Sequence, residues 1–192
     1  MKSRSKHLYK EIPTLEQLEK ELHREKYKSK YRKILRSTFF ALVIVSAFSV
    51  LVATLFLPVL QIYGNSMSPT FSEGDIVVSV KDGNYNTGDI IAFYYNNHIL
   101  VKRIVAGSMQ WVNIDDKGNV YVDDKLLDEP YVTEKSYGEN DIKYPYQVPE
   151  NSFFVMGDHR KTSIDSRKSV VGCVNREEIV GKIIFRVYKQ KT

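Results

Sequence analysis

Between Phe39 and Leu60 the chain reads FFALVIVSAFSVLVATLFLPVL, 22 residues without a charge. A helix rises about 1.5 Å per residue and the hydrocarbon core of a bilayer is about 30 Å thick, so a spanning helix needs roughly 20 apolar residues. A buried helix of a soluble protein would be shorter and would show a polar face. A cleaved leader would carry a shorter apolar stretch, nearer the start of the chain. Residues 39–60 are therefore expected to form a retained transmembrane helix. Pro58 near its outer end is tolerable, because the last carbonyls of a helix have no intrahelical partner. Arg32, Lys33 and Arg36 flank one end and no comparable cluster follows Leu60. The positive-inside bias then puts residues 1–38 in the cytoplasm as a basic tail and residues 61–192 outside the membrane.

Charge separates the two parts further. Residues 1–37 hold 12 Lys/Arg against 5 Glu, which leaves 16 basic and 18 acidic groups for the remainder. A basic tail on a slightly acidic body does not fit a nucleic-acid-binding domain, whose positive footprint lies across the fold. The tail shows helical signs: Thr14 followed by Gln17 fits a capping box, and Leu15, Leu18 and Leu22 share one face. Its "REKYKSKYRK" stretch sets cations where each near the surface gains on the order of 1 kcal/mol against anionic lipid. Cys173 is the only cysteine, so no intrachain disulfide forms, and its apolar setting reads as core. The histidines (His7, His23, His98 and His159) are scattered, with no spacing of a metal site, and no metal or cofactor is expected.

After the apolar run the pattern changes to short β-branched and aromatic segments separated by Gly, Asn and Asp, among them "DIVVSV", "GDIIAFYY", "HILVKRIVA", "QWVNI" and "NVYV". The body is expected to be mainly β. "DDKGNVYVDD" reads as a hairpin turning at Asp116–Asn119. "NREEIVGK" reads as a helical turn, and residues 133–150, with two prolines and several charges, as a surface excursion.

Chemistry is concentrated in "YGNSMSPTF" (63–71), "ILVKRIVAG" (99–107) and "VMGDHRKTSIDSRKSVVG" (155–172). A serine hydroxyl is a weak nucleophile at neutral pH and needs a base. In a strand of period two, Leu100, Lys102 and Ile104 share one face, so one cation of the Lys102–Arg103 pair points among apolar side chains. Keeping a lysine neutral at pH 7 costs roughly 4–5 kcal/mol in water, and burial removes much of that cost. Taken alone, the stretch reads more simply as an edge strand with both cations at the surface. A Ser66–His159 triad with Asp158 or Asp165 is the other arrangement, His98 being a weaker choice, and residue types do not separate dyad from triad.

Taken together these segments resemble the bacterial type I signal peptidase family, in its Gram-positive-type branch. "GNSMSPTF" is similar to the family's Ser-Met-x-Pro-Thr-Leu box, with Phe71 for leucine. "GDIIAF" (88–93) is similar to its Gly-Asp-Ile-Val box. "VKRIVAG" is similar to the Lys-Arg-Ile-x-Gly box, with Ala106 inserted before Gly107. "MGDHRKTSIDSR" resembles the Gly-Asp-Asn-Arg-x-x-Ser-x-Asp-Ser-Arg box, with His159 for asparagine, and "LLDEPYV" (126–132) resembles a further family segment. They occur in family order after one membrane span.

The resemblance implies an all-β catalytic domain of signal-peptidase type behind one N-terminal transmembrane helix, with a variable β subdomain over 108–150. It implies Ser66 as nucleophile and Lys102 as general base, and gives Ser68 no role. Ser163 matches the serine that orients the lysine amine; Asp165 and Arg167 match a supporting ion pair; Asp158 and Arg160 support the same loop. Gly64 stands where some members place an oxyanion-hole serine, so the hole would rest on the Ser66 N–H. Leu60, Ile62, Met67, Val77, Leu100 and Val101 match pocket positions that admit small side chains at the first and third residues before a cut. The implied partners are signal peptides of exported preproteins and membrane lipid, with room for contact with export machinery. A non-catalytic relative serving assembly of exported subunits, and an unrelated Ser-His-Asp hydrolase, are the alternatives.

Overall fold

The computed structural model describes residues 13–81 and 83–189, which divide into two units, one up to Val52 and one from Ala53 onward. The first unit is one helix. α1 runs without a break from Leu15 to Phe56, so the basic segment and the apolar run belong to the same 42-residue helix. Thr14 caps its start, donating its backbone N–H to Gln17 Oε1 at 3.1 Å and accepting the Gln17 N–H at Oγ1. The helix stops short of the expected Leu60. Leu57 precedes a proline, which disfavours helical backbone there, and Pro58 has no N–H to continue the ladder. Residues 59–61 are a strand instead.

Among the described residues the second unit holds eleven short strands in two antiparallel sheets. The larger comprises β1 (Val59–Gln61), β2 (Ile76–Val80), β3 (Ile90–Tyr95), β4 (His98–Ala106), β9 (Ser152–Met156), β10 (Val174–Asn175) and β11 (Ile179–Tyr188). Its spatial order is β1-β2-β11-β3-β4-β9-β10. β11 thus slots between β2 and β3, which do not pair with each other. The smaller sheet, in the order β7-β6-β5-β8, is built from β5 (Trp111–Ile114), β6 (Val120–Val122), β7 (Lys125–Leu126) and β8 (Tyr146–Gln147). Asn96 and Asn97, both at positive φ, make the two-residue turn between β3 and β4. The β5–β6 turn closes with Asp115 donating its backbone N–H to the Asn119 carbonyl while its carboxylate accepts the Asn119 N–H. "NREE" forms a 3-10 turn with a capping box at Asn175, followed directly by β11.

Three apolar clusters fill the unit. One gathers Ile62, Met67, Phe71 and Val77 beneath the serine segment; another gathers Ile91, Phe93, Ile104 and Val155. The third includes Val105, Val112, Phe154 and Val148, with Tyr137, Ile142, Tyr144 and Tyr146 packed against it. Residues 133–150 are therefore more than a surface excursion. Their charges face solvent while their aromatic rings fill one side of the core. Cys173 packs against this cluster too.

Candidate active site

β4 is an interior strand where it matters. Ile91 of β3 lies opposite Lys102 on one side, and Met156 of β9 lies opposite Arg103 on the other. The edge-strand alternative, with both cations in water, therefore fails. Lys102 is only 3% exposed. Its Nζ lies 2.7 Å from Ser66 Oγ and also donates to the Val101 carbonyl at 3.2 Å. Burial drives the lysine pKa down to about 8; the Asp165 and Asp158 carboxylates oppose that shift and the Arg167 guanidinium adds to it. Ser66 is carried on a turn whose Met67 and Phe71 are buried anchors, with the Phe71 N–H bonded to the Met67 carbonyl. Gly64 sits at φ +76°, where a side chain would be strained.

Arg103 leaves the lysine's face. It pairs with Asp158 at 2.6 Å, donates to the Gly88 carbonyl and lies 3.9 Å from the ring of Tyr131. Asp158 also accepts the Thr70 hydroxyl at 2.5 Å, four residues beyond the serine. Asp165 pairs with the buried Arg167 at 2.8 Å and accepts the Gly157 N–H. Arg160 forms a buried pair with Glu129 at 2.5 Å. In each of these three pairs the opposite charge offsets the cost of desolvating its partner. Neither Asp158 nor Asp165 bonds the His159 ring, which faces the Thr162 hydroxyl at 2.8 Å. The His159 contribution to Ser66 is its backbone N–H, donated to the Ser66 carbonyl at 3.0 Å. Ser163 Oγ is buried without a hydrogen-bond partner among the described residues, so the bond to the lysine amine that the resemblance implies is not formed in this arrangement.

Two bracing residues escape sequence reasoning. Glu129 lies in "LLDEPYV", but nothing local says that it meets Arg160. Arg186 of β11 donates to the Thr70 carbonyl, pairs with Asp75 and lies 4.9 Å from the Phe71 ring. It clasps the serine turn from a strand far away in the sequence.

Gly157 is the tightest point. A Cβ there would lie 2.5 Å from the Ser66 carbonyl oxygen and closer still to Ser163 Oγ. Gly157→Ala is expected to push the serine turn off the lysine and to lower turnover about 100-fold, the usual order for a displacement near 1 Å. Steady-state kinetics on a precursor substrate checks this; wild-type turnover would show that the turn yields without consequence.

A groove of about 550 Å³ opens at the Ser66–Lys102 pair, lined by residues 59–63, 66–67 and 97–102. Of the pocket positions expected from the sequence, Leu60, Ile62, Met67, Leu100 and Val101 line it. Val77 does not; it is wholly buried in the layer beneath. The groove runs between two strand edges. β1 pairs only with β2, and residues 98–101 pair only with β3, because the β9 ladder starts at Arg103. Among the described residues no cluster of three or more His, Cys, Asp or Glu is arranged to hold a metal ion.

The family model described as signal peptidase, peptidase S26 matches residues 32–188. The chain belongs to the signal peptidase family, peptidase S26. With α1 long and apolar enough to cross a bilayer, it is a membrane-anchored member. Among its relatives, a Staphylococcus aureus protein named inactive signal peptidase IA is 31% identical over 133 residues, covering 65% of this chain and 75% of that one. Signal peptidase I U of Bacillus subtilis is 27% identical over 164 residues, covering 79% and 87%. A crystal structure of a signal peptidase I from Enterococcus faecalis is 26% identical, covers 53% of this chain and 97% of its own, and has a TM-score of 0.45. Since one of these signal peptidase relatives is named inactive, membership alone does not decide activity, and the side chains at the site must.

Proposed function

We propose that this chain is a membrane-anchored serine endopeptidase that removes N-terminal signal peptides from exported preproteins, with Ser66 as nucleophile and Lys102 as general base. The observation that carries the reading is the 2.7 Å contact between Ser66 Oγ and a lysine amine 3% exposed to water. With a pKa of about 8, on the order of a tenth of the amine is neutral at pH 7, against well under a thousandth for an ordinary lysine. The neutral amine takes the serine proton as Oγ attacks the scissile carbonyl. The Ser66 N–H stabilises the oxyanion, as Gly64 offers no hydroxyl there. The lysinium then gives its proton to the departing amine, leaving an ester on Ser66. A water deprotonated by Lys102 hydrolyses that ester and returns the site to its start.

The two open strand edges suit an extended peptide, which would pair with β1 on one side and residues 98–101 on the other. The bulk of Leu60, Ile62, Met67, Leu100 and Val101 leaves room for small side chains at the first and third positions before the cut. The positive-inside bias of Arg32, Lys33 and Arg36 supports an orientation with the N-terminal segment in the cytoplasm, the apolar part of α1 in the bilayer and the β unit outside. Anchoring raises the local concentration of precursors that are themselves held in the membrane.

The name of the Staphylococcus aureus relatives favours a second reading, a non-catalytic factor for exported subunits. Lys102→Ala and His159→Ala, made separately and followed by N-terminal sequencing of an exported protein, discriminate. The dyad expects cleavage lost in the first and largely kept in the second. Cleavage surviving Lys102→Ala would sink the dyad, and an inert wild type would favour the second reading.

A further inference from the structure

A second cavity, of about 690 Å³, also opens at the Ser66–Lys102 pair but is walled by a partly different set of residues. It shares Ser66, His98, Leu100 and Lys102 with the first and then turns away towards Tyr95, Thr162 and Ile164. Ile164 is the notable member. Its neighbours Ser163 and Asp165 are buried and fix the backbone, yet Ile164 itself is 59% exposed and lines the same cavity as Ser66. Tyr95 is held as well, its hydroxyl donating to the Val170 carbonyl at 3.1 Å. Leu100 completes an apolar wall whose parts come from two separate segments of the chain.

Resting on the reading above, we propose that this cavity is a specificity subsite for the part of the substrate that follows the cut, and that it selects a bulky apolar or aromatic side chain at the second residue after it. The first cavity takes the residues before the cut, and the chain continues past Ser66 into the space that Ile164 walls. Successive side chains of an extended peptide alternate between faces. The third and first residues before the cut therefore share a face with the second residue after it, while the first residue after it points away. An apolar side chain there removes Ile164, Tyr95 and Leu100 from water; a carboxylate would be desolvated with no cation in the new part of the wall.

The test uses the full-length membrane protein and peptides spanning the cut, with Phe, Leu, Ala or Asp at the first or second position after it. The wild type is expected to show about tenfold higher kcat/KM for Phe or Leu than for Asp at the second position only. In Ile164→Asp this ratio should fall to near one, and in Lys161→Asp, on the same loop but outside the cavity, it should persist. Binding of the same labelled peptides to the Ser66→Ala chain, read by fluorescence anisotropy, gives the order without turnover. Cleavage with no preference, a preference at the first position, or one that Ile164→Asp leaves intact would overturn the subsite while leaving the peptidase reading standing. Selective binding by a chain that never cleaves would overturn the peptidase reading and keep the subsite. Failure to bind any peptide would overturn both.

Discussion

Replacing Ser66 with alanine is expected to abolish signal-peptide removal, and replacing Ser68, two residues on, to leave most of it. The two serines share one turn, so a general disturbance of the turn would affect both. Only Ser66 meets the lysine amine. Ser68 Oγ lies instead 3.4 Å from the Phe71 carbonyl, in a contact inside the turn. Loss of the nucleophile leaves at most the contributions of binding and the oxyanion site, so the expected drop is on the order of 10³-fold or more. The measurement is the ratio of precursor to mature protein over time, with the N-terminus of the product sequenced. Equal losses in the two variants would remove Ser66 from its proposed role.

The second large effect concerns Lys102, and it runs in opposite directions for activity and stability. The lysine pKa falls from 10.5 to about 8 on folding because the buried site disfavours its charged form. Below pH 8 the amine is protonated in both folded and unfolded chains, so the full cost of burying the charge is present. Between pH 8 and 10.5 the unfolded chain holds a proton that the folded one has released, and stability rises with pH. Above 10.5 the cost is gone. The difference corresponds to about 3 kcal/mol at neutral pH. Lys102→Met is therefore expected to end cleavage and yet to raise the stability of the β unit at pH 7 by on the order of 2–3 kcal/mol, an advantage that fades towards pH 10. Chemical denaturation of both proteins at several pH values checks it. In the wild type the same group should give kcat/KM an ascending limb with a midpoint near pH 8. A limb near 10 would mean a lysine in water, and an unchanged stability at pH 7 would mean that the charge costs the fold nothing.

Ser66 and Lys102 are legible through the order of the family boxes and not through residue types alone. By itself "ILVKRI" reads as an edge strand with both cations in water, because the β9 ladder that covers its far end lies some fifty residues on. The membrane helix and the predominance of strands were legible from apolar length and alternation, which are local properties. Its C-terminal end falls four residues before the expected Leu60, because hydropathy continues through Leu60 while helical backbone stops ahead of Pro58. The aromatic content of residues 133–150 was discounted for its prolines and charges, although a segment can face water with one side and fill a core with the other. Val77 matches a family pocket position yet lies in the layer beneath the groove, because depth beneath a surface has no local signature. The partnerships Glu129–Arg160 and Arg186–Asp75 join segments that only the completed sheets bring together. The Ser163 hydroxyl, which resemblance gives to the lysine, is bonded to nothing among the described residues, a detail that no motif could carry.

The position of β11 in the sheet has a temporal consequence. β1 and β2 flank the serine turn and β3 and β4 carry the lysine side, and it is residues 179–188 that join the two halves of the sheet. Arg186, on that strand, also closes over Thr70. A chain still emerging from synthesis thus holds its nucleophile and its base on separate hairpins, with no strand between them. On the proposed reading, the full setting of the Ser66–Lys102 contact therefore waits on β11, the most C-terminal strand described.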